Sequence, residues 1–134
     1  MKVLLLKPEF KNAFTKLSLI RTEPLELEYM SAICKRHGVE SQICDLTVDG
    51  NSLKKALLEF SPDLVAITAN FVHIYAVQKY VKQIKAYNSS VLTVVGGPHA
   101  EVKPEDFYFD GVDVVCHSGG YDYCLNGTGG NFGA

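Results

Sequence analysis

The stretch Val91-Leu92-Thr93-Val94-Val95-Gly96-Gly97-Pro98-His99 decides how this chain is read. A short β-branched apolar run bounded by turn residues reads as a strand buried on both faces. The glycines at its end mark a place where the backbone turns sharply or where something comes close. A plain strand-to-helix turn ahead of Pro98 would also ask for glycine. A valine at Gly97 distinguishes the two roles. In a slot wall it costs little stability, whereas at a position of positive φ it costs a great deal.

The same punctuation recurs on either side. Leu64-Val65-Ala66-Ile67, within Asp63 to Thr68, lacks the alternation of a half-exposed strand, so it reads as central. Lys2 to Lys7, Val39 to Asp45 and Val112 to Cys116 complete a set of five strands. Helices are expected over Pro24 to His37, Asn51 to Phe60 and Val72 to Tyr87, with Pro104-Glu105-Asp106 opening a further short one. In the first, Leu25, Tyr29, Ala32 and Ile33 form one stripe and Leu27, Met30 and Cys34 the next, which predicts packing on more than one side. Thr22 is its expected N-cap and Gly38 follows its end, while Ser61-Pro62 stops the second helix and Asn88-Ser89-Ser90 makes a turn. Strands alternating with helices give an α/β, doubly wound parallel sheet, for which the order 2-1-3-4-5 is expected. The domain is expected over residues 1–117, with a glycine- and asparagine-rich, poorly ordered tail over 118–134.

Composition narrows the function classes. The chain has 134 residues, enough for a single core, and a formal net charge of −2 with its lysines scattered. That leaves no electrostatic footprint for nucleic acid. Val3 to Leu6 is far too short for a signal segment or membrane span, so no membrane partner and a cytoplasmic location are expected. Cys34, Cys44, Cys116 and Cys124 show no Cys-x-x-Cys spacing, and Cys34 and Cys44 read as buried free thiols.

The expected strand order brings Pro8 to Thr22, Asp45 to Gly50, Thr68 to Phe71 and Gly96 to His99 to one rim. The first of these is longer than an ordinary βα connection, as binding loops are. Thr68 and Asn70 offer a hydroxyl and an amide there, and Gly96 and Gly97 keep the wall thin. Thr68 could equally serve as a cap or turn residue, and His73 reads as a structural residue of the third helix.

These residues resemble a known family. Glu23-Pro24-Leu25-Glu26-Leu27-Glu28-Tyr29-Met30-Ser31-Ala32, Ile43-Cys44-Asp45-Leu46, Ser61-Pro62-Asp63-Leu64-Val65-Ala66-Ile67-Thr68 and Val94-Val95-Gly96-Gly97-Pro98-His99-Ala100 stand in order and at suitable spacing. Together they resemble the N-terminal cobalamin-binding domain of cobalamin-dependent radical S-adenosylmethionine enzymes, from Met1 to about Val115. The resemblance implies a flavodoxin-like, Rossmann-like domain holding cobalamin over the carboxyl rim, its nucleotide tail buried. Thr68, Ala69 and Asn70 match the loop that meets the tail, and Gly96 and Gly97 the pair that lets it pass. With their rim neighbours Pro8, Glu9, Phe71, Pro98, His99, Cys116 and His117, these are the candidate cofactor-binding residues. No catalytic residue and no protein metal ligand is assigned.

Two departures from related patterns are informative. Methionine-synthase-like cobalamin domains place Asp-x-His-x-x-Gly after strand one, where this chain reads Lys7-Pro8-Glu9-Phe10-Lys11-Asn12. Asp45-Leu46-Thr47-Val48-Asp49-Gly50 has similar outer spacing but lies after strand two and has threonine at the histidine place. By resemblance, cobalamin is then base-off with no protein histidine below cobalt. The family also continues past strand five with Gly-Glu-Gly-Glu and a barrel bearing a Cys-x-x-x-Cys-x-x-Cys cluster, where this chain reads His117-Ser118-Gly119-Gly120-Tyr121. An iron-sulfur cluster is accordingly not expected in this chain, and a separate radical S-adenosylmethionine barrel domain or protein is the expected partner. The alternatives are a degenerate, non-binding interaction module of the same fold, or a nucleotide- or flavin-binding domain. A receiver domain is disfavoured because Thr68 stands where its phosphate-accepting aspartate would be.

Overall fold

Leu64–Thr68 is the middle strand of a five-stranded sheet, as its unbroken apolar run requires. The structure, a computed structural model, describes residues 1–9, 25–48, 50–70 and 73–117. The elements are β1 (Lys2–Lys7), α1 (Leu25–Arg36), β2 (Glu40–Asp45), α2 (Leu53–Phe60), β3 (Leu64–Thr68), α3 (Ile74–Tyr87), β4 (Leu92–Gly96), α4 (Pro98–Val102) and β5 (Val114–Val115), with a 3-10 turn at Pro104–Phe107. The strands are parallel in the order β2-β1-β3-β4-β5, which is the α/β flavodoxin-like arrangement expected from the sequence. No helix among the described residues is long and apolar enough to cross a membrane.

Local chemistry sets the ends of the elements. Ser52 caps α2 by accepting a hydrogen bond from the Lys55 amide at 3.1 Å. Ser61 closes that helix in the left-handed region, at φ 50°, directly before Pro62. Gly38, at φ 70°, does the same for α1.

The two faces of the sheet are covered unequally. On one face Leu4, Leu6, Val65, Ile67, Val95 and Val115 pack with Leu57, Phe60, Val77, Val81, Ile84 and Phe107 into the larger core. On the other, Val3, Leu5, Leu64, Ala66, Val94 and Val114 meet Leu27 and Met30 of α1. Because α1 lies over β1 and β2, the β3 and β4 part of that face is left open beside it.

Three expectations need correction. Only the second stripe of α1 packs: Leu27 and Cys34 are buried, while Leu25 and Tyr29 are 67% and 61% exposed. No described element lies outside α1 to cover the first stripe. The strand-to-helix turn weighed for Gly96 and Gly97 is present, with Pro98 at the first position of α4, but the segment expected to open a helix at Pro104 is a 3-10 turn. The fifth strand is two residues long, because Asp113 is committed to a side-chain clasp. Its carboxylate accepts from Lys85 Nζ at 2.7 Å and from the Thr93 amide at 2.8 Å, and Thr93 Oγ1 donates to the Gly111 carbonyl. Thr22, Pro24, most of the first loop and the 118–134 tail lie outside the described residues.

Candidate functional site

Side chains alternate between the faces of a strand, so β3 sends Leu64, Ala66 and Thr68 toward α1, and β4 sends Val94 and Gly96. Ala66 pairs with Val94 and Thr68 with Gly96, and Cys116 continues the row set by Val114. Toward the rim this row carries alanine and glycine where the opposite face carries Val65, Ile67 and Val95. The missing volume is a slot of about 280 Å³ between α1 and the sheet, with Leu27 and Met30 on the helical side. Glu26, Thr68, Gly97, Pro98, Glu101 and Cys116 surround its mouth.

Both carboxylates at the mouth come from helix positions next to the carboxyl ends of strands. Glu26 Oε2 accepts a hydrogen bond from Thr68 Oγ1 at 3.1 Å, which joins the first turn of α1 to the end of β3. Burial, and secondarily the Glu101 carboxylate, push the Cys116 thiol above its ordinary value, so it stays protonated at neutral pH.

The adjacent glycines have different work. Gly97 has φ 105° and ψ −177°, a region essentially reserved for glycine. A Cβ there would stand 2.8 Å from both the Ala69 nitrogen and Thr68 Oγ1. The approach is this close because the Ala69 amide donates to Gly96 O at 2.8 Å and the His99 amide to Ala69 O at 3.3 Å. Gly96 carries no such demand. A Cβ on it would meet Cys116 Cβ at 3.7 Å, an ordinary contact, and would occupy the slot.

The candidate residues separate into groups. Thr68, Gly96, Gly97, Pro98 and Cys116 line the slot together. Ala69 is buried and contributes backbone hydrogen bonds, and Asn70 is exposed beside it. The Asn70 amide donates to His73 Nδ1 at 3.1 Å, which makes His73 a structural acceptor at the start of α3. Burial, with Lys7 nearby, holds His73 below the usual histidine value. Pro8 is buried and Glu9 half-buried just past β1, outside the slot lining. His99 is engaged with Asp106, Nε2 to Oδ2 at 2.7 Å, and sets its ring edge-on to Phe107. His117 is half-buried, next to Cys116, and Phe71 lies outside the described residues. Glu26, Leu27, Met30, Leu64, Ala66, Ile67, Val94 and Glu101 also line the slot but were not candidate site residues on the sequence. The buried stripe of α1 was the available signal.

Residues 19–122 match the family model described as the B12 binding domain. The chain belongs to that family. The cofactor of the B12 binding domain is cobalamin, as the sequence motifs implied. The uncharacterized methyltransferase PH0819 of Pyrococcus horikoshii is 30% identical over 109 residues, spanning 78% of this chain and 23% of that protein. Among solved structures, the cobalamin-dependent S-adenosylmethionine radical enzyme OxsB, with aqua-cobalamin and S-adenosylmethionine bound, matches with a TM-score of 0.73 at 18% identity. That match covers 90% of this B12 binding domain and 17% of the OxsB chain. The fold is therefore shared with a cobalamin-dependent radical enzyme, and the chain spans under a quarter of the length of either protein.

Proposed function

We propose that this domain binds cobalamin base-off, with the nucleotide tail in the slot beside α1 and no protein imidazole on cobalt. The observation that carries the reading is the apolar slot opened by Ala66 and Gly96 behind a polar mouth. A long amphiphilic ligand needs such a slot, with apolar walls for its buried part and a few polar groups to fix it. The residues present fit that demand. At about 280 Å³ the slot takes one end of a ligand as large as cobalamin and leaves the rest at the rim. Leu27, Met30, Leu64, Ala66 and Val94 would hold the tail, and Glu26, Thr68 and Glu101 would accept or exchange hydrogen bonds with its hydroxyls and amides. When bound, cobalamin supplies a cobalt that carries a methyl group or takes part in electron transfer.

The absence of a histidine after β1 supports base-off binding without a protein ligand. His37 is exposed past the end of α1 that is remote from the rim and His73 is buried at the start of α3, while His99 and His117, near the rim, are the histidines that the spectroscopy below reads. The cysteines do not supply the closely spaced trio that a radical S-adenosylmethionine cluster requires, so we assign that chemistry to a separate barrel domain or protein. The free thiols Cys34, Cys44 and Cys116 suit a reducing compartment, and we place the domain in the cytoplasm.

Electron paramagnetic resonance of the cobalt(II) form tests the ligation. With base-free cobinamide bound, no nitrogen hyperfine splitting from the protein is expected. Splitting that persists with cobinamide would show that a histidine ligates and would overturn this part of the reading.

A further inference from the structure

Resting on the proposal that the cobalamin tail enters the slot, we infer that the slot discriminates between corrinoids by the polarity of their lower base. It accepts an apolar base such as dimethylbenzimidazole and disfavours adenine. The observation is a gradient along the slot. The polar side chains Glu26, Thr68, Glu101 and the Cys116 thiol gather at the mouth, at the level of Thr68 and Gly96. Two residues deeper stand Ala66 and Val94, and two deeper again Leu64. At about 3.3 Å per residue, Leu64 lies about 13 Å below the Thr68 level.

Leu27 and Met30 close the helical side. Among the described residues, no polar side chain lines the slot below its mouth. The backbone offers nothing there either, because at the Ala66 and Val94 level β3 and β4 are paired with each other in the parallel ladder.

An adenine base carries an exocyclic amine and ring nitrogens that are hydrogen-bonded in water. Carried into this slot they lose those bonds and find no replacement, whereas the methylated edge of dimethylbenzimidazole gains apolar contact. Unpaired polar groups in an apolar pocket cost enough to make the expected preference about 10- to 100-fold. The carboxylates of Glu26 and Glu101 cannot rescue the purine, since they sit at the mouth.

The test is a set of absorbance titrations of the chain with cobalamin, the adenine-containing cobamide and cobinamide, which has no nucleotide tail. Cobalamin is expected to bind at least about tenfold more tightly than the adenine cobamide, in line with the cost of unpaired polar groups. Equal affinities for the two cobamides would overturn the inference and leave cobalamin binding intact. No binding of any of the three would instead overturn the underlying proposal. The variant Met30→Gln puts an amide of similar length on the helical wall, and circular dichroism reports whether it folds. Its ratio of affinities should move toward one, and a folded Met30→Gln protein with the parent's ratio would contradict the assignment of this slot.

Discussion

Gly97 sits directly against Ala69: a Cβ on the glycine would stand 2.8 Å from the Ala69 amide nitrogen and 3.0 Å from its carbonyl oxygen. With φ at 105°, the position is closed to other residues twice over, by backbone conformation and by space. Gly97→Ala is expected to lower unfolding stability by about 1–3 kcal/mol from the backbone alone, with the clash adding to it. Gly97→Val should be worse still. Urea denaturation checks this, and a Gly97→Val protein as stable as the parent would contradict the turn geometry. Because this substitution damages the fold, it cannot report on the slot. Gly96 is the residue that can.

The clasp around Asp113 holds the short edge strand. Burial pushes its carboxyl upward, but hydrogen bonds from Lys85 and Thr93 outweigh that and hold it below the usual aspartate value. Asp113→Ala removes the acceptor for Lys85 Nζ and the Thr93 amide, and a loss of about 1–3 kcal/mol is expected by chemical denaturation. A neutral outcome would mean that β5 is held by its apolar contacts alone.

His73 gives a pH dependence of known sign. Burial and Lys7 hold its value below 6.5, so the native state binds fewer protons than the unfolded chain as pH falls past that point. Stability contributed above pH 6.5 is therefore lost as pH falls toward and through the native value. The denaturation midpoint should drop between pH 7.5 and 5.5, and His73→Asn, neutral and a good N-cap, should flatten that drop. An equal drop in both proteins would assign it to other groups.

Much of the fold was legible because apolar runs and turn residues agree with one another: Leu64 to Ile67 reads as central and is central. The short α4 was legible only as a strand-to-helix turn ahead of Pro98, one of two readings of the glycine pair, since Pro98 to Val102 is too brief to show a helical period. The slot was half legible. Gly96 and Thr68 stand out as rim residues, but Ala66 lies in an apolar run buried on both faces, where period two is invisible. Glu26 escaped because its bond to Thr68 spans 42 residues, a relation that only the packing of α1 on the sheet creates.

Cys116 is a chemical reporter for the slot. It is half-buried in the lining, whereas Cys34 and Cys44 are buried, the latter with its thiol raised by burial and by Asp45 to about 11. In a Cys124→Ser chain, maleimide labelling should fall mainly on Cys116 and should speed up as pH rises, because the thiolate is the nucleophile. Saturating cobalamin should slow that labelling in proportion to occupancy. Labelling of Cys116 at an unchanged rate would place the cofactor elsewhere.

The most direct measurement of the central claim is an absorbance titration with hydroxocobalamin of the parent chain and of Gly96→Val. Valine suits a strand, and no positive φ stands in its way at Gly96, so the variant should stay folded within about 1 kcal/mol of the parent. Its side chain would occupy the slot beside Cys116. The parent is expected to bind and the folded variant to lose binding. A parent that shows no spectral change up to millimolar ligand, or a folded Gly96→Val protein that binds as tightly as the parent, would contradict the account.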